Sequence, residues 1–146
     1  MRARTPALRI FVAVHILCAL MSQNAAGQAC GTIVYENRNQ IDYGPLAVSA
    51  VQGIVMDSTG TSIPKTCVGV FTEADHKLVG STETGADGRF DLKSIPSGTY
   101  RLLVSCEGFC VANARIHVLR SNGRRKALTV HMKTGGVDSC SYIDQK

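Results

Sequence analysis

The sequence predicts an all-β protein, a seven-stranded Greek-key β-sandwich preceded by a signal peptide. From residue 46 onward, the chain breaks into short apolar runs separated by turn-forming residues. None of these runs repeats apolar residues every three to four positions over enough residues to predict a helix. Seven such runs fit within about ninety residues, which is the strand density of a two-sheet sandwich. The whole chain has 146 residues, enough for one domain with one core.

Residues 1–29 have the layout of a secretory signal peptide. Three arginines and no acidic residue precede an apolar run over residues 10–21, and small polar residues follow. This run is well short of the ~20 residues needed to cross a bilayer. Cleavage after Ala29, or after Gly27, would leave Cys30 at or near the new N-terminus. We therefore expect a secreted, periplasmic or cell-envelope protein with no transmembrane segment in the mature chain.

The charge of the chain argues against a nucleic-acid partner. Removal of Arg2, Arg4 and Arg9 with the signal would lower the formal net charge from +5 to +2. The sequence also lacks tryptophan and has few aromatic residues on which bases could stack. No nucleic-acid partner is therefore expected.

The mature chain is expected to have three parts. Residues 30–45 are polar and show no sustained period, which indicates an irregular leader that wraps the domain. Residues 46–133 form the sandwich, and residues 134–146 form a C-terminal tail. The seven predicted strands are residues 48–57, 65–72, 78–84, 89–93, 100–106, 112–119 and 126–132.

Glycines and prolines mark the predicted turns. Gly60 and Pro64 prevent the first strand from continuing, and Gly98 ends a Pro-Ser-Gly turn. Glu107-Gly108 could bend the chain after the fifth strand.

The fifth strand has the clearest alternation of apolar and polar side chains. Tyr100, Leu102, Val104 and Cys106 are predicted to face the core, and Arg101, Leu103 and Ser105 to face outward.

The stretch TGADGRF, residues 84–90, could be a metal loop, a phosphate cradle or a turn. A calcium loop collects several oxygen ligands, whereas Asp87 is the only acid within this stretch. A phosphate cradle needs a longer glycine loop that opens a helix. Asp87-Gly88 between two alternating runs is a hairpin signal, so we predict the corner of a β-hairpin.

The last two strands are predicted to form a second hairpin. Asn122-Gly123 favours a two-residue turn, but that register would place the two apolar stripes on opposite faces. A three-residue loop with Gly123 in a left-handed conformation instead places Ile116 opposite Leu128.

Five cysteines remain after removal of the signal, and we expect them to oxidise. They are Cys30, Cys67, Cys106, Cys110 and Cys140. Structural zinc sites favour two groups of closely spaced ligands, and this pattern is absent, so two disulfides are preferred. Long links are favoured, including one between Cys30 and Cys140, and one thiol is left over. The sequence does not say which.

The candidate general bases or metal ligands are three histidines, and their spacing argues against a shared metal. On the predicted hairpin, His117 faces Ala127 and His131 faces Asn113, so the two rings lie roughly 13 Å apart. His76 lies in a separate loop. No serine occupies a Gly-x-Ser-x-Gly nucleophile elbow. No catalytic residue, metal or cofactor is therefore predicted, and the chain is expected not to be an enzyme.

Three stretches carry a family resemblance: VQGIVMDSTGTSIPKTCVGVF, STETGADGRFDLKSIPSGTYRLLVSCEGF and RIHVLRSNGRRKALTVHM. Together, over residues 48–132, they resemble the carboxypeptidase regulatory-like domain of the transthyretin-like (prealbumin-like) group. This resemblance implies an Ig-like β-sandwich that binds a partner or supports folding. Such domains are also similar to starch-binding modules, which makes carbohydrate a candidate ligand.

The resemblance gives three functional hypotheses. The first is an exported accessory module that binds carbohydrate or an envelope protein. Its predicted binding loops hold Glu73, Asp75, His76 and Lys77, and Arg124 and Arg125. The second is a structural envelope-assembly protein that pairs through a sheet edge. The third is a small hydrolase, which the C-terminal sequence SYIDQK argues against, because transthyretin-like hydrolases end in Tyr-Arg-Gly-Ser.

Overall fold

The computed structural model describes residue 30 and residues 33–37, 40–120, 126–135 and 141–145, with the backbone alone at 40–43. The described residues form nine strands and no helix. The strands are β1 (Gln40–Val48), β2 (Val51–Asp57), β3 (Cys67–Thr72), β4 (Leu78–Glu83), β5 (Arg89–Leu92), β6 (Gly98–Ser105), β7 (Ala112–Val118), β8 (Leu128–Met132) and β9 (Tyr142–Gln145).

Two mixed sheets pack face to face as a sandwich. The five-stranded sheet has the order β1-β7-β6-β3-β4, and the four-stranded sheet has the order β5-β2-β8-β9. The predicted all-β sandwich is therefore confirmed. The described strands number two more than predicted: β1 begins inside the leader that was expected to be irregular, and β9 lies in the tail. Both strands lie at the edge of a sheet, where β1 pairs with β7 and β9 pairs with β8. Because an edge strand can keep polar side chains, neither shows the apolar run by which strands were predicted.

The core lies between the sheets and is built from one side of each strand. In β2, for example, buried Val51, Gly53 and Val55 alternate with half-buried residues. Val70 and Leu102 from the five-stranded sheet meet Leu128, Val130 and Met132 from the four-stranded sheet, all at most 1% exposed.

The outer face of β6 is not exposed as predicted. Arg101 is 4% exposed and Leu103 is 1% exposed, although both alternate with the core residues Tyr100, Leu102 and Val104. The prediction was wrong because residues 33–37 cover this face, so β6 is buried on both sides.

The two hairpins predicted from turn signals are both wrong. β4 and β5 flank Asp87-Gly88 but belong to different sheets, as do β7 and β8. Ile116 pairs with Leu46 and Tyr100, and Leu128 pairs with Gly53 and Gln145. A turn signal marks a change of direction, and it does not say whether the chain returns to the same sheet or crosses to the other.

Gly88 is required at its corner by two separate constraints. Its φ is +73°, and a Cβ built there would lie 2.7 Å from the carbonyl oxygen of Val55. The close approach arises because the Val55 amide donates a 2.8 Å hydrogen bond to the Gly88 carbonyl. The hydrogen bond extends the pairing of β2 with β5, while the corner itself carries the chain from β4 in the five-stranded sheet to β5 in the four-stranded sheet. Gly60 and Gly108 also have positive φ, and Gly98 opens β6.

Several predictions fall on residues outside the described part. These are the signal peptide, Gly123, Arg124, Arg125 and Cys140. Among the described residues, no helix is long and apolar enough to cross a membrane.

Candidate functional site

A strap, residues 30 and 33–37, covers the outer face of the five-stranded sheet. A disulfide joins Cys30 to Cys67 of β3, with a Cα–Cα distance of 5.4 Å. Further along, Ile33 packs over Gly69, and the Tyr35 ring meets the Phe71 ring edge-on at 5.5 Å. The Asn113 side-chain amide donates a 3.0 Å hydrogen bond to the Glu36 carbonyl. The strap therefore helps to bury the outward side chains Phe71, Leu103 and Asn113 of this sheet.

The expected link between Cys30 and Cys140 is wrong, because Cys67 is the partner of Cys30. The leader crosses the sheet and brings Cys30 over β3, and no pattern in the sequence marks that path. Cys106 is a free thiol just after β6, half-buried against the core. Cys110 follows in the same loop, and its carbonyl accepts a 2.6 Å hydrogen bond from the Ser141 hydroxyl.

Glu73, predicted to lie in a binding loop, holds that loop to the sheet. One carboxylate oxygen lies 3.1 Å from Nε of Arg101, and the other lies 3.1 Å from Nε of Arg115. The two arginines are direct neighbours on β6 and β7. Glu73 thus lies between two positive charges that would otherwise repel each other.

The other residues of this predicted binding loop, Asp75, His76 and Lys77, also contact residues of the protein itself. The Asp75 carboxylate lies 2.8 Å from Nζ of Lys77 and accepts a hydrogen bond from the Thr72 hydroxyl. These two contacts, Lys77 first, lower the pKa of Asp75 to about 2. The His76 ring stacks on the Tyr35 ring, with centroids 3.9 Å apart and planes 8° apart. The loop therefore packs on the strap.

The other two histidines lie on different sheets. Nδ1 of His117 lies 3.0 Å from the Thr99 hydroxyl on the five-stranded sheet. Nε2 of His131 lies 3.3 Å from the Asp144 carboxylate on the four-stranded sheet. The facing pairs His117–Ala127 and His131–Asn113 are therefore wrong. The described residues place Cys30, Cys67 and Glu83 close together, but the two cysteines are joined in a disulfide and offer no thiolate to a metal.

The outer face of the four-stranded sheet is left open by the described residues. We call it the open face. Its outward side chains are Arg89 and Asp91 of β5, Gln52, Ile54 and Met56 of β2, Thr129 and His131 of β8, and Tyr142 and Asp144 of β9.

Strand register arranges these side chains in rows across the sheet. One row runs Arg89, Ile54, Thr129, Asp144, because these residues are direct partners on successive strands. Partner residues point to the same side of a sheet. The open face therefore places a guanidinium at one end of this row and a carboxylate at the other, with the half-buried Ile54 and the buried Thr129 between.

A second row on the open face ends in a pair of stacked rings. The His131 and Tyr142 rings lie 4.5 Å apart with planes 14° apart, and Nζ of Lys133 lies 5.5 Å from the Tyr142 ring centre. His131 is thereby held between the Asp144 carboxylate and the Tyr142 ring.

A shallow depression of about 360 Å³ opens at the β5 side of this face. It is lined by Gln52, Gly53, Glu83, Arg89, Phe90, Asp91 and Ala127. Amide, guanidinium and carboxylate groups here supply both hydrogen-bond donors and acceptors. No sequence motif marks this site, because its residues come from separate strands and meet only through register.

The fold and its site define a transthyretin-like β-sandwich. The model of the carboxypeptidase regulatory-like domain matches residues 50–133. The chain therefore belongs to the carboxypeptidase regulatory-like domain family, and the resemblance seen in the sequence is confirmed. No curated protein matches the chain.

Two enzymes are among the solved structures that match the chain. The 5-hydroxyisourate hydrolase of Klebsiella pneumoniae is 21% identical, covers 67% of this chain and 99% of its own, and has a TM-score of 0.50. An (S)-allantoin synthase is 16% identical, covers 68% of this chain and 45% of its own, and has a TM-score of 0.45.

The expectation that the chain is not an enzyme is corrected by this comparison. A hydrolase shares this fold, so neither the sandwich nor the missing nucleophile elbow argues against catalysis. At 21% identity, this similarity shows that the two proteins share a fold. It does not show that this chain catalyses the same reaction.

Proposed function

We propose that this chain is an extracytoplasmic binding module that takes a carbohydrate on its open face. The observation that carries the proposal is the contrast between the two outer sheet faces. The strap buries Phe71, Arg101, Leu103 and Asn113 on one of them. On the other, Gln52, Ile54, His131 and Asp144 remain partly accessible among the described residues.

The chemistry of the open face favours a polar ligand over a protein partner. Protein interfaces concentrate apolar and aromatic residues and few charges at their centre. The exposed large hydrophobic residues in the described part are Val34, Leu78, Val79 and Leu119, and none lies on this face. Planar amide, guanidinium and carboxylate groups beside half-buried aliphatic side chains suit the hydroxyls and C–H faces of a sugar.

The extracytoplasmic location is proposed from the cysteines and the N-terminal sequence. The Cys30–Cys67 disulfide fixes the strap and is stable in an oxidising compartment. The signal-like segment ends immediately before Cys30. Detection of the mature chain with Cys30 near its N-terminus in an envelope or culture fraction tests this part.

Calorimetric titration with soluble oligosaccharides tests the binding. Maltoheptaose, cellohexaose and chitohexaose are the probes, and we expect one of them to bind. Gln52→Ala and Asp144→Ala should each weaken binding about fivefold or more, because each removes hydrogen bonds made to the ligand. Glu107→Ala, in the exposed turn after β6, is the matched control and should bind as the parent does. Absence of binding to all three probes would contradict the proposal.

A second candidate function is hydrolysis on the same face. The Asp144 carboxylate lies 3.3 Å from Nε2 of His131, which is the arrangement that orients an imidazole as a general base. Nδ1 could then accept a proton from the attacking water and return it to the leaving oxygen as the bond breaks. Incubation with the bound oligosaccharide, followed by chromatography, separates the two functions: a hydrolase releases shorter products, and His131→Gln stops the release.

A further inference from the structure

A second cavity opens where β2 begins and β5 ends. We call it the end cavity, and its volume is about 390 Å³. Val51 of β2, Leu92 of β5 and Val118 of β7 line it together, so residues of both sheets meet around it. All three are buried in the core. None of the strap residues 30 and 33–37 lines the end cavity.

The polar groups of the end cavity can both donate and accept hydrogen bonds. Ser49, Asp91, Lys93 and Ser94 supply two hydroxyls, a carboxylate and an ammonium group. Oγ of Ser49 is buried and has no hydrogen-bond partner among the described residues. A buried hydroxyl left unpaired is costly, so a ligand hydroxyl that reaches Ser49 from the end cavity would stabilise the complex.

Ser94 is held in a left-handed backbone conformation at the same cavity. Its φ is +67°, a value that glycine adopts readily and serine rarely. Residues held in such conformations concentrate at ligand-binding segments, where the surrounding structure maintains the strain. The serine therefore brings a hydroxyl to the end cavity at a cost in stability.

The end cavity adjoins the shallow depression on the open face, because Asp91 lines both. Gln52, the direct partner of Asp91, lines the depression, and Val51, one position earlier on β2, lines the end cavity. On β5, Arg89 in the depression and Leu92 in the end cavity are three positions apart, which is roughly 10 Å along a strand. The two cavities therefore follow one another along the β2–β5 pair.

We infer that the end cavity is a second subsite of the carbohydrate site, occupied when a linear oligosaccharide runs from the open face past Asp91. The inference rests on the carbohydrate binding proposed above, and it adds the length and direction of the ligand. Some sugar units would lie over Gln52 and Arg89 in the depression, and the next units would enter the end cavity. Asp91 lies between the two parts and can accept hydrogen bonds from both. Lys93 and Ser94 contact only the part that enters the end cavity, so they select for chain length.

Calorimetric titration with a series of chain lengths tests the inference. The probes are the dimer, the trimer and the full-length oligomer of whichever sugar binds among maltoheptaose, cellohexaose and chitohexaose. The parent should bind the full-length oligomer about tenfold more tightly than the dimer, because only the longer chain occupies both cavities at once. Gln52→Ala should weaken the binding of both, because Gln52 lines the depression.

Ser94→Gly separates the end cavity from the depression. It removes the hydroxyl, so binding of the full-length oligomer should weaken about fivefold, while the dimer should bind as before. It also removes the strain at this turn, so the melting temperature should stay close to that of the parent or rise, and the lost affinity could not come from unfolding. Ser58→Gly, the same substitution in the exposed turn after β2, is the matched control and should leave both affinities unchanged.

Three results would overturn the inference while leaving carbohydrate binding intact. The first is equal affinity of the parent for the dimer and the full-length oligomer. The second is a Ser94→Gly variant that binds the full-length oligomer as the parent does, and the third is an equal loss of dimer and full-length binding in that variant. Absence of binding at every chain length would overturn the proposed function together with this inference, so the two failures are distinguishable.

Discussion

Ile33 of the strap lies directly over Gly69 of β3. A Cβ built at Gly69 would lie 3.0 Å from Cδ1 of Ile33 and 3.0 Å from the Phe71 ring. Gly69 faces outward, beside Leu103 in the register of β3 and β6. The absence of a side chain at this position therefore lets the strap approach the sheet.

Gly69→Ala should displace the strap. The added methyl group overlaps Ile33 and Phe71, so we expect a loss of about 1–3 kcal/mol in the free energy of unfolding. Urea denaturation measures this loss. Truncation of Ile33 to alanine in the same chain should recover part of it. If the losses in the free energy of unfolding from Gly69→Ala and Ile33→Ala simply added in the double variant, the strap would not pack on Gly69.

Gly88 and Gly60 form a matched pair for separating backbone strain from close approach. Both have positive φ, +73° and +86°, but a Cβ at Gly88 meets the Val55 carbonyl at 2.7 Å, whereas a Cβ at Gly60 meets nothing within 4 Å. Gly60→Ala should cost about 1 kcal/mol, the usual strain of a left-handed residue. Gly88→Ala should cost several kcal/mol more, because the same added methyl group also overlaps the Val55 carbonyl. Similar melting temperatures for the two variants would disprove the contact at Val55.

The sequence predicts the sandwich but not the pairing of its strands. Alternation along β2 and β6 is local, so it identifies which side chains face the core. The partners of Ile116 and Leu128 depend on which sheet each strand joins, and the turns at Asp87-Gly88 and Asn122-Gly123 carry no information about that choice. The sheet that a strand joins depends on packing between residues that are far apart in the sequence, so local patterns do not predict it.

The candidate site was missed for the same reason. Arg89, Ile54, Thr129 and Asp144 are dispersed along the sequence and become neighbours only when β5, β2, β8 and β9 pair. The loop at residues 73–77 has the polar composition of a binding loop, but composition does not reveal that Glu73 contacts Arg101 and Arg115. Buried partners of surface loops are a product of tertiary structure.

Glu73→Gln should destabilise the protein although the residue lies in a loop. The substitution keeps the shape of the side chain but removes the negative charge between Arg101, which is 4% exposed, and Arg115. Removal of one partner from a largely buried pair is costly, and we expect a loss of about 2 kcal/mol in the free energy of unfolding. Asp87→Asn is the control, because its contact with Arg89 is exposed. Equal free energies of unfolding for the two variants would show that the Glu73 carboxylate does not stabilise the fold.

The carboxyl group of Asp75 should titrate at low pH. Contacts with Lys77 and Thr72 lower its pKa from 3.8 to about 2 in the folded protein. Because the folded pKa is the lower one, the contribution of this group to stability is present above its unfolded pKa. That contribution is lost as pH falls from about 4 toward 2. The side chain is solvent-exposed, so the effect on global stability should be small and the local titration is the useful measurement.

NMR titration of the Asp75 side-chain carbonyl between pH 1 and 6 measures this pKa directly. Lys77→Met should raise it toward the ordinary value, because it removes the largest cause of the shift. Thr72→Val should raise it less, because it removes only one hydrogen bond. If Lys77→Met left the Asp75 titration unchanged, the ion pair that fixes this loop beside β4 would be absent in solution.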